Sequence, residues 1–196
     1  LVEFLDQVRA EHPAYHAAPV APFGAERPRL LLIGLAPGMH GANATGRPFT
    51  GDFAGILLYQ TLHRFGFASA AESRSRDDGL RLLDCRITNA VKCLPPQNKP
   101  SGEEIRQCNT YLAAELADLA DGSLLLALGA IAHNATLRAL GLAQTAYKFG
   151  HGAEHDLGRL RLLDSYHCSR YNTQTRRLTP AMFEQVFARA RAILDA

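Results

Sequence analysis

The amino-acid sequence predicts an α/β fold: a three-layer α/β/α arrangement with helices on both faces of a central, mostly parallel, four-stranded sheet. Two observations carry that expectation. Short Leu-rich runs fail to alternate with polar residues, the pattern of strands buried on both faces. Between them lie stretches with helical spacing, so strands alternate with helices, and right-handed crossovers onto a parallel sheet follow.

The first strand is the apolar run Arg29 to Leu35. A long polar loop follows, then a helix over Phe53 to Arg64 with Ile56, Leu57, Tyr59 and Leu62 near a helical period. A second strand runs from about Cys85 to Val91, and the loop Lys92 to Pro100 leads to a helix opened by Ser101. Glu104, three residues on, completes a capping-box pattern. Ser123 to Leu128 is the third strand, and Gly129 begins a helix toward Leu140. Leu160 to Ser165 is the fourth strand, ending in the polar loop Tyr166 to Arg177 before a last helix from Thr179 to about Leu194. Ser69 to Gly79 reads as a plain polar connection, and there is no internal repeat.

The chain of 196 residues, 47% hydrophobic and 20% charged, suits one domain spanning residues 1–196. A net charge of +2 neither requires nor excludes a polyanionic partner. No apolar run approaches the roughly 20 residues that span a bilayer, and the amino end lacks a basic segment before an apolar secretory core. A cytoplasmic monomer without membrane contact is expected. The four cysteines, Cys85, Cys93, Cys108 and Cys168, are irregularly spaced, which argues for buried thiols or ligands over a disulfide framework.

Ligands of parallel sheets bind at the carboxyl ends of the strands. Three loops, starting near Ala36, Lys92 and Tyr166, leave such ends and should converge. The first, Gly34 to Asp52, far exceeds the usual connection of about four to six residues. It lacks the Gly-Lys-Ser/Thr ending of a nucleotide phosphate loop. Its glycines suit a backbone that bends sharply and presents amides to a planar ligand; a flexible surface loop is the plainer reading. Phe49 is placed to stack on a flat base or to anchor the loop in the core. Asp52 suits the N-cap of the next helix, a pocket carboxylate, or both at once.

His167, directly after a buried strand, is the best general-acid or hydrogen-bond candidate. Ser169, Arg170, Asn172, Thr173, Gln174, Arg176 and Arg177 follow it, a set of donors suited to phosphates or to a solvated arginine-rich loop. Asn89 lies within an apolar strand, where its amide needs partners and could read a base edge. Cys93 and Cys108 cannot by themselves complete a four-ligand cluster, while Cys85 and Cys168 suit small buried positions. His133 reads as structural; His151 and His155 carry no assignable role.

These motifs resemble one family. Gly34-Leu35-Ala36-Pro37-Gly38, through His40-Gly41-Ala42-Asn43 and Thr45-Gly46-Arg47 to Phe49-Thr50-Gly51-Asp52, is similar to the first motif of the family 5, or type B, uracil-DNA glycosylases. His167-Cys168-Ser169-Arg170-Tyr171-Asn172-Thr173, leading to Arg177-Leu178-Thr179, looks like their second. Thr88 to Pro96 and Asn98-Lys99-Pro100 resemble the family between them. Leu35 stands where family 4 enzymes carry Glu, which favours family 5.

The resemblance implies a monofunctional DNA repair glycosylase of base excision repair. It would flip uracil and related deaminated bases out of DNA and hydrolyse the N-glycosidic bond, leaving an abasic site. Asp52 and His167 would be catalytic. Ala36, Gly38, His40, Asn43, Phe49 and Asn89 would bind the base, and Ser169, Arg170, Asn172, Thr173, Arg176 and Arg177 the DNA. The resemblance also implies a four-iron, four-sulfur cluster, with Cys93 and Cys108 as two of its four ligands. The other pair would lie in an amino-terminal segment preceding Leu1; loss of the cluster is the rival reading. Competing functions are a noncatalytic nucleic-acid-binding module and a small-molecule nucleoside hydrolase.

Overall fold

The computed structural model describes residues 1–196. Its strands are β1 (Phe23–Gly24), β2 (Leu30–Gly34), β3 (Cys85–Asn89), β4 (Leu124–Leu128), β5 (Glu154–Asp156) and β6 (Arg161–Ser165). They form one sheet of six strands in the order β1-β3-β2-β4-β6-β5, not the four expected. β3, β2, β4 and β6 are parallel, whereas β1 on β3 and β5 on β6 are antiparallel, so the sheet is mixed. Both additions are edge ribbons of two and three residues without a buried apolar run. Backbone pairing makes them strands, and no hydrophobic period announces them.

The helices are α1 (Val2–Glu11), α2 (Ala42–Thr45), α3 (Phe53–Arg64), α4 (Gly102–Ala117), α5 (Ala130–Ala139), α6 (Arg170–Gln174) and α7 (Pro180–Leu194). Alternate residues of the central strands face opposite layers, as the pleat requires. Leu30, Leu32, Leu124, Leu126 and Leu163 pack with Leu58 and Leu62 of α3 and Phe183 and Phe187 of α7. Their neighbours Leu31, Ile33, Leu125, Ala127 and Leu162 pack with Leu112 and Leu116 of α4 and Ala132 and Leu137 of α5. A strand covered on both faces cannot alternate with polar residues, which is why these runs read as continuous leucine. The expected capping box opens α4: Ser101 Oγ accepts from the Glu104 amide at 3.2 Å, and Glu104 Oε2 accepts from the Ser101 amide at 2.8 Å. No helix is long and apolar enough to cross a membrane.

Helix α1 was not legible in the sequence. Its Leu5 and Val8 form a small separate cluster with Ala17 and Leu94, against which Met39 and Cys93 pack. The chain leaving β2 turns through α3 to β3 on one side, while the chain leaving β4 turns through α5 to β6 on the other. The connections therefore diverge at the carboxyl ends of β2 and β4, where a crevice opens.

Candidate active site

That crevice is a cleft of about 600 Å³ lined by all three suspected loops. The first loop supplies Leu35 to His40, Phe49 and Gly51 to Ala54; the second supplies Asn89 and Asn98; the third supplies His167, Ser169 and Arg170. The backbone amides of Ala36, Gly38, Met39 and His40 donate to no protein acceptor. A run of free N–H groups in a concave site is available to a ligand's oxygens.

The loop is held tightly, against the reading of a flexible surface segment. Its back half is fastened to residues 73–78. Arg47, 4% exposed, donates to Asp78 Oδ1 at 2.7 Å, to Ser73 Oγ at 3.0 Å and to the Arg76 carbonyl. Thr50 Oγ1 lies 2.7 Å from Ser73 Oγ, and Tyr59 donates its hydroxyl to the Pro48 carbonyl at 2.7 Å. The segment 69–79 is thus a brace, not a plain connection. Burial alone would raise Asp78, but Arg47 and the amides of Leu80, Arg74 and Ser75 overcome it and bring the carboxyl down to about 2.

Phe49 sits at φ +57°, a backbone region that costs a non-glycine residue energy. The neighbouring glycines accommodate it: a Cβ at Gly55 would lie 1.7 Å from the Phe49 carbonyl oxygen, and one at Gly34 would lie 2.7 Å from the Phe49 ring. The ring packs on His167 with centroids 5.8 Å apart and planes 26° from parallel. This is direct ring-to-ring contact, so the two side chains form one wall of the cleft.

Asp52 occupies the N-cap position of α3, but its side chain makes no capping bond. It turns back into the loop and accepts from the Ala42 amide at 3.3 Å. Two glycines leave it room: a Cβ would fall 1.9 Å from Asp52 Cγ if built on Gly41, and 2.6 Å from Oδ1 if built on Gly38. Burial raises the Asp52 carboxyl above the usual range, only partly offset by the Ala42 amide and by His40. His40 in turn pairs its Nδ1 with the Tyr15 hydroxyl at 2.9 Å.

Burial pushes His167 down to about 4, so its imidazole is neutral at neutral pH. It offers a neutral N–H, not a charged acid. The Asn172 amide fixes the backbone behind it, donating to the His167 carbonyl at 2.8 Å. Tyr166, one residue earlier, is braced by His151, whose Nδ1 accepts its amide at 3.1 Å and whose ring stacks on it at 5.0 Å.

Asn89 lines the cleft at the end of β3, 3% exposed, and its buried Oδ1 has no partner. Asn43 does not line the cleft. It is fully buried, its Nδ2 donates to the Met39 carbonyl at 3.4 Å, and its own carbonyl accepts from Ala17. That geometry shapes the loop from behind. Among the residues suited to phosphates, Ser169 caps α6 by accepting from the Asn172 amide at 3.3 Å, and Thr173 Oγ1 bonds back to the Ser169 carbonyl at 3.2 Å. Arg170, Arg176 and Arg177 are exposed and pair with no carboxylate. Arg170 lies over the Phe53 ring at 5.5 Å and Arg177 over the Tyr166 ring at 4.7 Å.

Sequence reasoning missed three neighbours of the cleft. Phe53 is 44% exposed at its rim, Tyr171 is 71% exposed beside Arg170, and Asn98 lines it in a left-handed conformation, φ +56°, directly after Gln97 at +55°. The available sequence signal for Asn98 is its place just behind the turn-forming pair Pro95-Pro96, whereas its left-handed conformation is visible only in the fold.

Two clusters have metal-ligating chemistry. His133, His155 and Asp164 bring ligand atoms within 4.8 Å of one another. The Asp164 carboxylate faces His133 Nδ1 at 2.8 Å and His155 Nε2 at 3.0 Å, while His133 Nε2 bonds to the Tyr147 carbonyl at 3.0 Å. Both ring nitrogens of His133, Nε2 of His155 and both Asp164 oxygens are engaged at hydrogen-bond distance, so the triad acts as a strut joining α5 to β5 and β6, in keeping with a structural His133. Cys93 and Cys108 are free, half-buried thiols close enough that Cys108, after burial itself, raises Cys93. Cys85 and Cys168 are fully buried in the core as small residues.

The comparisons agree with this geometry. The model of the uracil DNA glycosylase superfamily matches residues 21–191. The type-5 uracil-DNA glycosylase of Thermus thermophilus is 49% identical over 180 residues, covering 91% of this chain and 82% of the relative. That of Mycobacterium bovis is 44% identical over 187 residues, covering 94% and 69%. Among solved structures, wild-type SMUG2 of Pedobacter heparinus superposes with a TM-score of 0.55 at 15% identity, covering 87% of this chain and 77% of that one, a likeness of fold. With the family model spanning most of the sequence and such relatives along nearly all of it, the chain belongs to the uracil DNA glycosylase superfamily and, within it, to the type-5 group.

Proposed function

We propose that the cleft receives uracil flipped out of DNA and that Asp52 and His167 assist hydrolysis of its N-glycosidic bond. One observation carries this reading. A poorly paired carboxylate, a neutral imidazole and an unpartnered Asn89 amide face one cavity, beside free backbone amides.

A base within a duplex reaches no pocket until it leaves the stack, at a cost of a few kcal/mol. The exposed, unpaired Arg170, Arg176 and Arg177 offer phosphate contacts that offset it, with Ser169 at the cleft margin. Asn172 and Thr173 act behind them, holding the loop. The Asn89 amide reads the polar edge of the base, while Phe49, Ala36, Gly38 and His40 shape the surface against which it rests. Bond cleavage leaves negative charge on the base and positive charge on the sugar. His167 donates its neutral N–H toward a base oxygen as that charge grows. Asp52 orients the attacking water, and its carboxylate form offsets the charge on the sugar. Other deaminated bases with a similar edge are accepted by the same contacts. The Lys92 amine is tied into buried hydrogen bonds, which supports hydrolysis without an imine to the sugar.

Cys93 and Cys108 fit half of a four-cysteine donor set for a [4Fe-4S] cluster, and the buried Cys85 and Cys168 cannot join them. When bound, such a cluster would supply a staple between the 92–100 loop and α4, with no part in bond cleavage. Iron and acid-labile sulfide are expected in protein made from the complete reading frame; their absence refutes the cluster.

The function is tested by incubating the protein with uracil-containing and matched normal duplexes and scoring alkali-sensitive abasic sites. Cleavage confined to the uracil strand is expected, without borohydride-trapped adducts. Folded Asp52→Asn and His167→Ala variants that retain wild-type single-turnover excision would refute the assigned roles. Binding without base release would leave a nucleic-acid-binding module, and release from free nucleosides alone a small-molecule hydrolase.

A further inference from the structure

Lys92 is 8% exposed and lies three residues beyond Asn89, outside the cleft lining. Its Nζ donates to Thr88 Oγ1 at 2.6 Å, to the Asn89 backbone carbonyl at 2.9 Å, and to Glu115 Oε1 on α4. Thr88 Oγ1 donates to the same Glu115 oxygen at 3.2 Å, and the other oxygen, Oε2, is buried without a partner. A buried ion pair is poor economy as a source of stability, since an apolar pair of similar volume generally serves as well. Its oriented bonds are what an apolar pair cannot supply, and they converge on the peptide that carries Asn89.

The rest of that peptide's surroundings serve the same end. Asn89 pairs with Gly34 across β2, the Ala90 and Val91 amides donate to the Gly34 and Leu35 carbonyls at 2.9 Å, and a Cβ on Gly34 would lie 2.4 Å from Asn89 Oδ1. The β2 side thus fixes one edge of the turn beyond β3 and leaves room for the amide. The ammonium grips the Asn89 carbonyl and ties it to α4.

We propose that Lys92, with Glu115, is a positioning pair for base recognition, setting the Asn89 amide at the angle from which it reads the flipped base. This inference rests on Asn89 being the base-reading group. Lys92→Met alone leaves Glu115 buried and uncompensated, so the informative variant is the charge-free pair Lys92→Met/Glu115→Leu, with folding checked by circular dichroism.

Single-turnover uracil excision by that pair is expected to fall about 10- to 100-fold, the scale of a small misplacement at a reacting centre. Affinity for an abasic duplex, which has no base to read, is expected to stay within about twofold, and the pair should add no further loss in an Asn89→Ala background. Wild-type excision by the folded pair overturns the inference, as does a matching loss of abasic-duplex affinity. An equal fold-loss in the Asn89→Ala background overturns the role of Lys92 and leaves that of Asn89 standing. Wild-type excision by Asn89→Ala itself removes the base-reading assignment, and the inference with it.

Discussion

The two halves of the 35–52 loop treat their polar groups in opposite ways. On the back half, Arg47 is nearly buried and meets Asp78, Ser73 and the Arg76 carbonyl, while Thr50 meets Ser73. On the cleft half, the amides of Ala36, Gly38, Met39 and His40 are free, and Asp52 holds one long bond to Ala42 in space left by glycines. Buried polar groups ordinarily find partners. One half satisfies that rule to make the loop rigid, and the other breaks it where a ligand would complete the set. Rigidity on one side keeps unsatisfied groups aimed on the other.

The largest effect should come from filling the space around Asp52. A methyl on Gly41 would fall 1.9 Å from Asp52 Cγ, so Gly41→Ala must displace the carboxylate. Excision should then fall as far as in Asp52→Asn, by about 10²–10⁴-fold under single-turnover conditions, the range of a lost positioned acid–base group. Urea unfolding midpoints of Asp52→Asn should match or exceed wild type, because the variant removes a carboxylate that burial disfavours. A fast Gly41→Ala enzyme would show that the cleft half is not built around Asp52.

Arg47→Met tests the other half. It removes a buried guanidinium and its bonds to Asp78, Ser73 and Arg76, while the Asp78 carboxylate keeps the amides of Arg74, Ser75 and Leu80, a loss of about 1.5–3 kcal/mol for hydrogen bonds to a charged group. Equilibrium urea unfolding should register that loss, while the Thr50–Ser73 and Tyr59–Pro48 bonds still hold the loop in the folded enzyme, which should keep single-turnover excision within about threefold of wild type. A variant of native stability but slow excision would reverse the assignment of the two halves.

The halves also differed in how far the sequence revealed them. The leucine runs announced β2, β4 and β6 because both faces of those strands are covered, and the glycine-rich loop announced the cleft because so long a connection needs a reason. The edge strands β1 and β5 gave no apolar signal. The brace was equally silent: Ser73 and Asp78 look like ordinary loop residues until tertiary folding sets them against Arg47, more than twenty residues away. Lys92 and Glu115 are separated by a loop and most of α4, and only the fold closes that bond. Asp52 invited two readings, helix cap and pocket carboxylate. The side chain settles the first by making no capping bond, which follows from its turn toward Ala42.

Acid should separate the halves by their carboxylates, and this is the finest distinction. Asp52 is raised by burial, so it takes up a proton first as pH falls, and excision should fall off above the usual carboxylate range. Asp78 is held down to about 2, so its contribution to stability is complete above the ordinary carboxylate pKa and is lost only as pH drops from there toward 2. His167, at about 4, stays neutral until pH falls through that value. Between the two carboxylate transitions there should be an interval in which circular dichroism reports a folded protein and single-turnover assays report little excision, recovered on return to neutral pH. In Asp52→Asn the residual rate should lose the acid limb that belongs to the carboxylate and keep the fall near 4, where His167 gains charge. Coincident loss of folding and excision in wild type would mean that the two halves share one electrostatic fate.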